Sequence, residues 1–296
     1  MGKFYDAIIG LVVGDALGVP FEFHKRDTFK AVDMVGYGTY DQPPGTWSDD
    51  SSLTLATVES IVRMGKIDPD DIMHNFYQWL FFGEFTPFGK VFDVGNTTRM
   101  AIQRYRYEGE KPINCGGSSL MDNGNGSLMR ILPLAFTSHS YQDIENVSSL
   151  THSHHISKNV CNLYDDIARY LLKGNDKNTA VRKATFLTCQ YYTEFQRIWR
   201  IADYPREEIK STGYVVDSLE AALWCFLNSD SYKECVLKAV NLGDDTDTIA
   251  AIAGGLAGIY YGIGGEKGIP EEWIEQIKRL DYIKDLCESF ENKILK

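Results

Sequence analysis

The chain has 296 residues, of which 44% are hydrophobic, 12% aromatic and 24% charged; this balance supports a sizeable core and excludes a disordered chain, a collagen-like fibre and a disulfide miniprotein. Its 41 acidic residues against 30 basic give a formal charge of -11, which disfavours a nucleic-acid backbone or an anionic membrane as the principal partner. Six cysteines, at 115, 161, 189, 225, 235 and 287, form no C-x-x-C pair, the pattern of reduced, buried thiols in a cytoplasmic protein rather than of a zinc site.

From the start of the chain, the apolar stretch Ile8 to Val13 is interrupted by Asp6 and Asp15 and has no cleavage-like small-residue site, so it does not read as a signal peptide. Asp6 also stands where an N-myristoylation motif wants Ser or Thr. A loop follows from Tyr37 to Trp47, carrying Pro43-Pro44-Gly45. Leu53, Ala56, Thr57, Ser60, Ile61 and Met64 then recur at helical steps and Gly65 stops the run, which predicts an amphipathic helix. Cys115 to Gly126 is a glycine-rich loop. Val160, Leu163, Tyr164, Ile167 and Leu171 predict a second helix closing at Gly174, and Leu219, Ala222, Leu223 and Phe226 a third. Ile249, Ile252, Ala253, Leu256 and Tyr260 make a further stripe, with Gly254 and Gly258 placed where a neighbouring helix can approach closely. This predicts a central helix.

The longest apolar run on this reading, Ile249 to Ile263, has 15 residues, short of the ~20 that cross a bilayer. Period-2 strand patterns are nearly absent, and no repeat, low-complexity stretch or linker divides the chain. The expectation is an all-α protein with residues 1–296 in a single domain.

Two acidic clusters carry the chemistry. Trp47-Ser48-Asp49-Asp50-Ser51 precedes the first predicted helix, where Ser and Asp also suit an N-cap and the positive end of the helix dipole. Gly243-Asp244-Asp245-Thr246-Asp247-Thr248 precedes the central helix, and a cap needs only one acid. Several carboxylates crowded against an apolar helix repel one another and are poorly solvated, which a bound cation resolves. Carboxylate, hydroxyl and carbonyl oxygens suit hard divalent cations such as Mg²⁺ and Mn²⁺. Together the clusters could form a two-metal centre, provided that residues about 200 positions apart meet in space, which itself argues for one domain.

Two other acidic motifs share part of this pattern. An EF-hand loop starting at Asp245 needs Gly sixth and Glu twelfth, but Ala250 and Leu256 stand there. A haloacid-dehalogenase-type phosphatase is matched by Asp245-Thr246-Asp247, but Thr248 comes one place early and Val240-Asn241-Leu242 is short for its strand.

The sequence resembles the ADP-ribosylglycohydrolase family. The resemblance rests on Gly14-Asp15-Ala16-Leu17-Gly18 with Glu22, Trp47-Ser48-Asp49-Asp50, Gly124-Asn125-Gly126-Ser127-Leu128-Met129-Arg130, Thr151-His152, and Asn241-Leu242-Gly243-Asp244-Asp245-Thr246-Asp247-Thr248, in the family's order. It implies a single orthogonal multi-helix domain and a hydrolase that frees ADP-ribose from an acceptor, using two Mg²⁺ or Mn²⁺ ions. An arginine N-glycoside in a protein is the preferred acceptor, by analogy, and an ADP-ribose-containing small molecule is the other kind of partner. Carried over by position, Ser48, Asp49 and Asp50 ligate metal from one side and Asp245, Asp247 and Thr248 from the other.

The resemblance also implies that Glu22 is a gate or general base near the scissile bond, that Asp93 faces the ribose, and that Asp247 belongs to the catalytic set. Gly124, Asn125 and Gly126 would cradle the diphosphate with backbone N–H groups, while His152 and Tyr214 would line the substrate side. Three departures stand out. Asp122 and Asn123 replace residues that some relatives use at the nucleotide, and Asp244 takes the place of a family glycine, where it could narrow the pocket or support a ligand. Asp122 and Asn123 motivate the alternative of a non-catalytic ADP-ribose-binding member; a phosphohydrolase, from the match at Asp245-Thr246-Asp247, stands behind it.

Overall fold

The structure, a computed structural model, describes residues 2–191 and 193–295, without the side chains of 187–191. Twelve α-helices are present among the described residues: α1 (Lys3–Gly18), α2 (Asp49–Met64), α3 (Pro69–Phe82), α4 (Asn96–Gln103), α5 (Tyr141–Ser149), α6 (His155–Leu172), α7 (Lys177–Tyr191), α8 (Val215–Leu227), α9 (Tyr232–Val240), α10 (Thr246–Tyr261), α11 (Glu271–Ile274) and α12 (Leu280–Ile294). Extended pairing among the described residues is limited to isolated bridges. The all-α expectation is met.

The predicted boundaries follow local chemistry. Ser48 caps α2, its hydroxyl accepting from the amide of Asp50, and Gly65 ends the helix in the left-handed region at φ 69°. Gly174 closes the α6 segment in the same way at φ 82°. The helical stripes are buried except at Met64 and Tyr260, which are 42% and 37% exposed.

α10 is central, being buried along almost its whole length, and it packs on α1. The contact is backbone to backbone: a Cβ on Gly254 would stand 2.4 Å from the carbonyl oxygen of Gly10, and one on Gly258 would stand 2.2 Å from that of Asp6. α1 answers with its own glycine, whose added Cβ at position 14 would lie 2.2 Å from the carbonyl oxygen of Ala250. Any larger residue would force these helices apart, which is how interior glycine offsets its helix cost of about 1 kcal/mol. Around this pair the buried apolar side chains form one continuous cluster.

α1 with its extension, Lys3–Phe21, is apolar enough over 19 residues to span a bilayer by length and composition, and 89% of that stretch is buried inside the fold. It therefore outruns the stretch Ile249 to Ile263. Five cysteines, 115, 161, 225, 235 and 287, are free and buried; the side chain of Cys189 lies outside the described residues.

Candidate functional site

α2 and α10 begin at the same place. Thr248 Oγ1 donates to Asp50 Oδ2 across 3.3 Å, joining positions 198 residues apart. Ser48 Oγ donates to the same oxygen at 3.1 Å. Thr246 anchors α10 to the end of α1 by donating to the carbonyl of Gly18 at 2.8 Å. The close approach continues here, because a Cβ on Gly18 would lie 2.3 Å from the Cα of Asp247. The preceding turn takes positive φ at Gly243 and Asp244 and is held by Arg26, which donates to the carbonyl of Leu242 at 2.8 Å.

Seven carboxylates converge at this junction: Asp15, Glu22, Asp49, Asp50, Asp93, Asp245 and Asp247, all buried except Asp93 and Asp245, which are half-buried. None forms an ion pair with Lys, Arg or His among the described residues. Burial is the largest cause of a raised pKa in every one, reinforced by mutual repulsion in most. Asp15 and Asp245 are pushed up to about 6 and Glu22 up to about 9. Two helix N-termini pointing at the cluster offset only part of this cost, each being equivalent to roughly half a positive charge.

Four carboxylate oxygens, Glu22 Oε2, Asp50 Oδ1, Asp245 Oδ1 and Asp247 Oδ2, are buried without a hydrogen-bond partner. Buried lone pairs left in this state cost about 1–3 kcal/mol or more each, so the donor set fits a hard cation. Two groupings have the right compactness. Asp15, Asp50 and Asp247 offer oxygens within 4.8 Å of one another, and so do Glu22, Asp93 and Asp247. Asp247 belongs to both.

The junction floors a cleft of about 320 Å³. Glu22, Asp49, Asp93, Asp245 and Thr248 line one side, and Gly124, Asn125, Gly126 and His152 the other. Glu22 is held facing inward because Phe23 and His24 exchange backbone hydrogen bonds with Asp244, at 2.7 and 2.9 Å. Asp93 sits at φ 50°, a left-handed conformation that Asp tolerates better than most residues, and its carboxyl lies beside those of Glu22 and Asp247, with oxygens within 4.8 Å of one another. Asn125 Nδ2 ties the glycine loop to the acids by donating to Asp245 Oδ2 at 2.8 Å.

The glycine loop differs in detail from the diphosphate cradle expected. The amide of Asn125 already donates to the carbonyl of Gly213 at 3.0 Å. Glycine is needed at 124 and 126 because the His152 ring lies against both: added Cβ atoms would stand 3.3 Å from Nε2 and 2.9 Å from Cε1. Tyr214 bridges to Gly124 through its backbone, but its side chain is 37% exposed, and Gly213 rather than Tyr214 lines the cleft.

Asp244 is exposed, accepts from Ser211 Oγ at 3.4 Å and does not line the cleft. Asp122 closes a reciprocal cap with Ser119, and buried Asn123 is engaged by Leu120, His154 and Ser157. Neither touches the cleft. A separate depression of about 400 Å³ at His139, Tyr141 and Arg169 has only Asp166 as a lining acid, and Tyr141 OH donates to it at 2.8 Å.

The metal set expected from sequence did not include Asp15, which stands in both the observed junction and one of its compact groupings. The available signal was a charged residue inside an otherwise apolar, fully buried helix, since Asp is almost never buried without a partner. Tyr40, beside Glu22 and Asp93 and tilted against Phe92 with ring centroids 5.1 Å apart, is a further residue of the site that the motifs do not mark.

Comparison with known proteins places this geometry in context. The profile of the ADP-ribosylglycohydrolase family matches residues 1–296. The ADP-ribosylarginine hydrolase Tri1 of Pseudomonas putida (strain GB-1) is 36% identical, over 95% of this chain and 76% of that protein. The ADP-ribosyl-[dinitrogen reductase] glycohydrolase of Rhodospirillum rubrum is 31% identical, over 92% of this chain and 88% of its own. A solved structure described as an ADP-ribosylglycohydrolase-related protein complex superposes with a TM-score of 0.84 at 30% identity, covering 98% of this chain and 97% of that one.

Proposed function

The chain belongs to the ADP-ribosylglycohydrolase family, and on that premise we propose that it is a hydrolase releasing ADP-ribose from modified arginine in a protein, using two divalent cations, Mg²⁺ or Mn²⁺. The observation that carries this reading is Asp247: one carboxylate shared by two compact groups of buried acids that have no cationic side chain to neutralise them. The preference for arginine is supported by the arginine-hydrolase relative at 36% identity.

Asp15, Asp50 and Asp247 would hold one cation and Glu22, Asp93 and Asp247 the other, with Asp49, Asp245 and the hydroxyls of Ser48 and Thr248 alongside. Divalent cations supply Lewis acidity toward sugar hydroxyls and acidify water near neutral pH. The chain's own contribution is to fix geometry and move protons. Glu22 lines the cleft and would accept a proton from the attacking water, while Asp93 beside it would orient that water. Nearby carboxylates favour the positive charge that develops on the sugar as the glycosidic bond breaks. The loop from Gly124 to Gly126 with His152 forms the opposite wall, where the rest of ADP-ribose would lie.

The reading is tested by incubating the protein with ADP-ribosylated arginine, serine and nucleic-acid substrates in Mg²⁺ or Mn²⁺ and measuring released ADP-ribose. Release from arginine is expected. Tight ADP-ribose binding by calorimetry with no turnover on any substrate would instead identify a binding protein, and activity confined to phosphate esters a phosphohydrolase. Five free, buried cysteines support a cytoplasmic setting.

A further inference from the structure

Behind the cleft wall, three buried groups form a directed hydrogen-bond chain. Arg130 is fully buried with its guanidinium over the Phe76 ring, 4.6 Å from the centroid. Its Nη2 donates to Thr151 Oγ1 at 2.8 Å and to the carbonyl of Val147 at 3.2 Å. Thr151 Oγ1 lies 2.8 Å from His152 Nδ1. No carboxylate pairs with Arg130 among the described residues.

We propose that Arg130 and Thr151 are positioning residues that hold His152 as the neutral Nε2–H tautomer, presenting one hydrogen-bond donor to an oxygen of the substrate in the cleft. The direction follows from donor chemistry. A guanidinium has no acceptor, so the Thr151 oxygen accepts from Arg130; an Nδ1–H ring would then leave the hydroxyl proton with no acceptor among the described residues, so that proton points to Nδ1. Nδ1 accepts, and the ring proton sits on Nε2. That nitrogen makes no hydrogen bond among the described residues and lies beside Gly124, in the wall of the cleft. Burial and, next, the Arg130 charge push the His152 pKa down to about 3 against the opposing pull of Asp122, so the ring stays uncharged.

The consequence is a polarity rule for that part of the cleft, which rests on the proposed function for the identity of the ligand. An Nε2–H group accepts nothing. It pairs with a phosphate, hydroxyl or carbonyl oxygen and rejects a guanidinium, which is also only a donor. His152 thus serves the ADP-ribose side, and the arginine leaving group is directed away from it. It is neither a general base nor a cation for the diphosphate.

Nitrogen NMR of the histidine-labelled protein without substrate tests the tautomer independently of any activity, with His152→Gln identifying the resonance. A pyridine-like Nδ1 and a pyrrole-like Nε2 are expected. An Nδ1–H ring, or an imidazolium at neutral pH, overturns the proposal even if the protein hydrolyses ADP-ribosylated arginine. Thr151→Val should mix the tautomers and lower kcat/KM roughly tenfold, the loss of one ordinary hydrogen bond. Thr151→Ser should restore both. A Thr151→Val protein with an unchanged tautomer removes Thr151 from the chain; if that variant does not fold, the wild-type spectrum and Thr151→Ser still decide.

Discussion

Asp15 turns both carboxylate oxygens to the backbone amide of Ser48, at 2.9 and 3.0 Å. One of them also accepts from the amide of Ser51 at 3.0 Å. A side chain on α1 thereby holds the N-terminus of α2, the element that carries Asp49 and Asp50. Asp15→Ala should cost about 2 kcal/mol in the presence of excess Mn²⁺, the scale of hydrogen bonds to a charged group. Chemical denaturation at a constant m-value measures it, and an unchanged midpoint would show that α2 docks without Asp15.

The seven carboxylates make stability depend on pH in a direction opposite to that of salt-bridged acids. Raised pKa values mean that the ion-free folded chain holds more protons than the unfolded chain. The stabilising contribution is complete below the ordinary carboxylate value of 3.8 and is lost as pH rises through about 6, for Asp15 and Asp245, and on to about 9 for Glu22. A divalent cation replaces those protons. Thermal melts in chelator and in Mn²⁺ should therefore diverge more at pH 8 than at pH 5, and equal gaps at both would contradict the arrangement.

Because Asp247 is common to both compact groups, Asp247→Asn should be more damaging than the loss of an acid in only one of them. A fall in kcat of roughly a hundredfold or more is expected, with weakened Mn²⁺ binding by calorimetry. Turnover within twofold of wild type, in a variant with native circular dichroism, would remove Asp247 from the centre.

Asp122 provides the contrasting case. It closes a cap with Ser119 and lies off the cleft. Asp122→Ala should lower stability by about 1 kcal/mol, the usual value of a helix cap, and leave kcat/KM within about twofold. A large loss of activity with unchanged stability would mean that the nucleotide reaches Asp122 after all.

Gly18 tests the scaffold rather than a ligand. Its missing side chain leaves room for the Cα of Asp247, 2.3 Å from where a Cβ would be. Gly18→Ala must push α10 away, and overpacking of this kind typically costs about 1–3 kcal/mol. Activity should fall further than in Asp122→Ala, because the displaced backbone carries a shared carboxylate. Equal activity in the two variants would show that α10 absorbs the shift elsewhere.

The parts of this molecule that sequence reading captured are those that depend on local periodicity and on unbalanced charge. The stripe from Leu53 to Ile61, the stop at Gly65 and the crowding of acids before α10 need no tertiary information. The meeting of Asp50 and Thr248 followed from chemistry: too many acids for capping alone. Asp15 was harder, because an acid in an apolar helix reads as an interruption until that helix is known to be buried on all sides. The chain from Arg130 through Thr151 to His152 joins three residues whose spacing has no period, and its direction depends on which proton points where. Tyr214 marks the opposite limit, where a motif position was legible but the outward course of its side chain was not.

The glycine-lined contact of α1 with α10 also has a bearing on how the protein is made. α1 emerges from a ribosome well before its partner, which begins 228 positions after Gly18. Contacts of such separation form late and slow folding, leaving an apolar α1 exposed to chaperones or misassembly in the interval. A nascent chain ending before residue 246 carries Asp15, Glu22, Asp49, Asp50 and Asp93 but lacks Asp247, the one acid present in both compact groups. Cation capture through that residue can therefore follow only after α10 has been synthesised, which would make loading with cation a signature of the docked α1–α10 pair rather than its trigger.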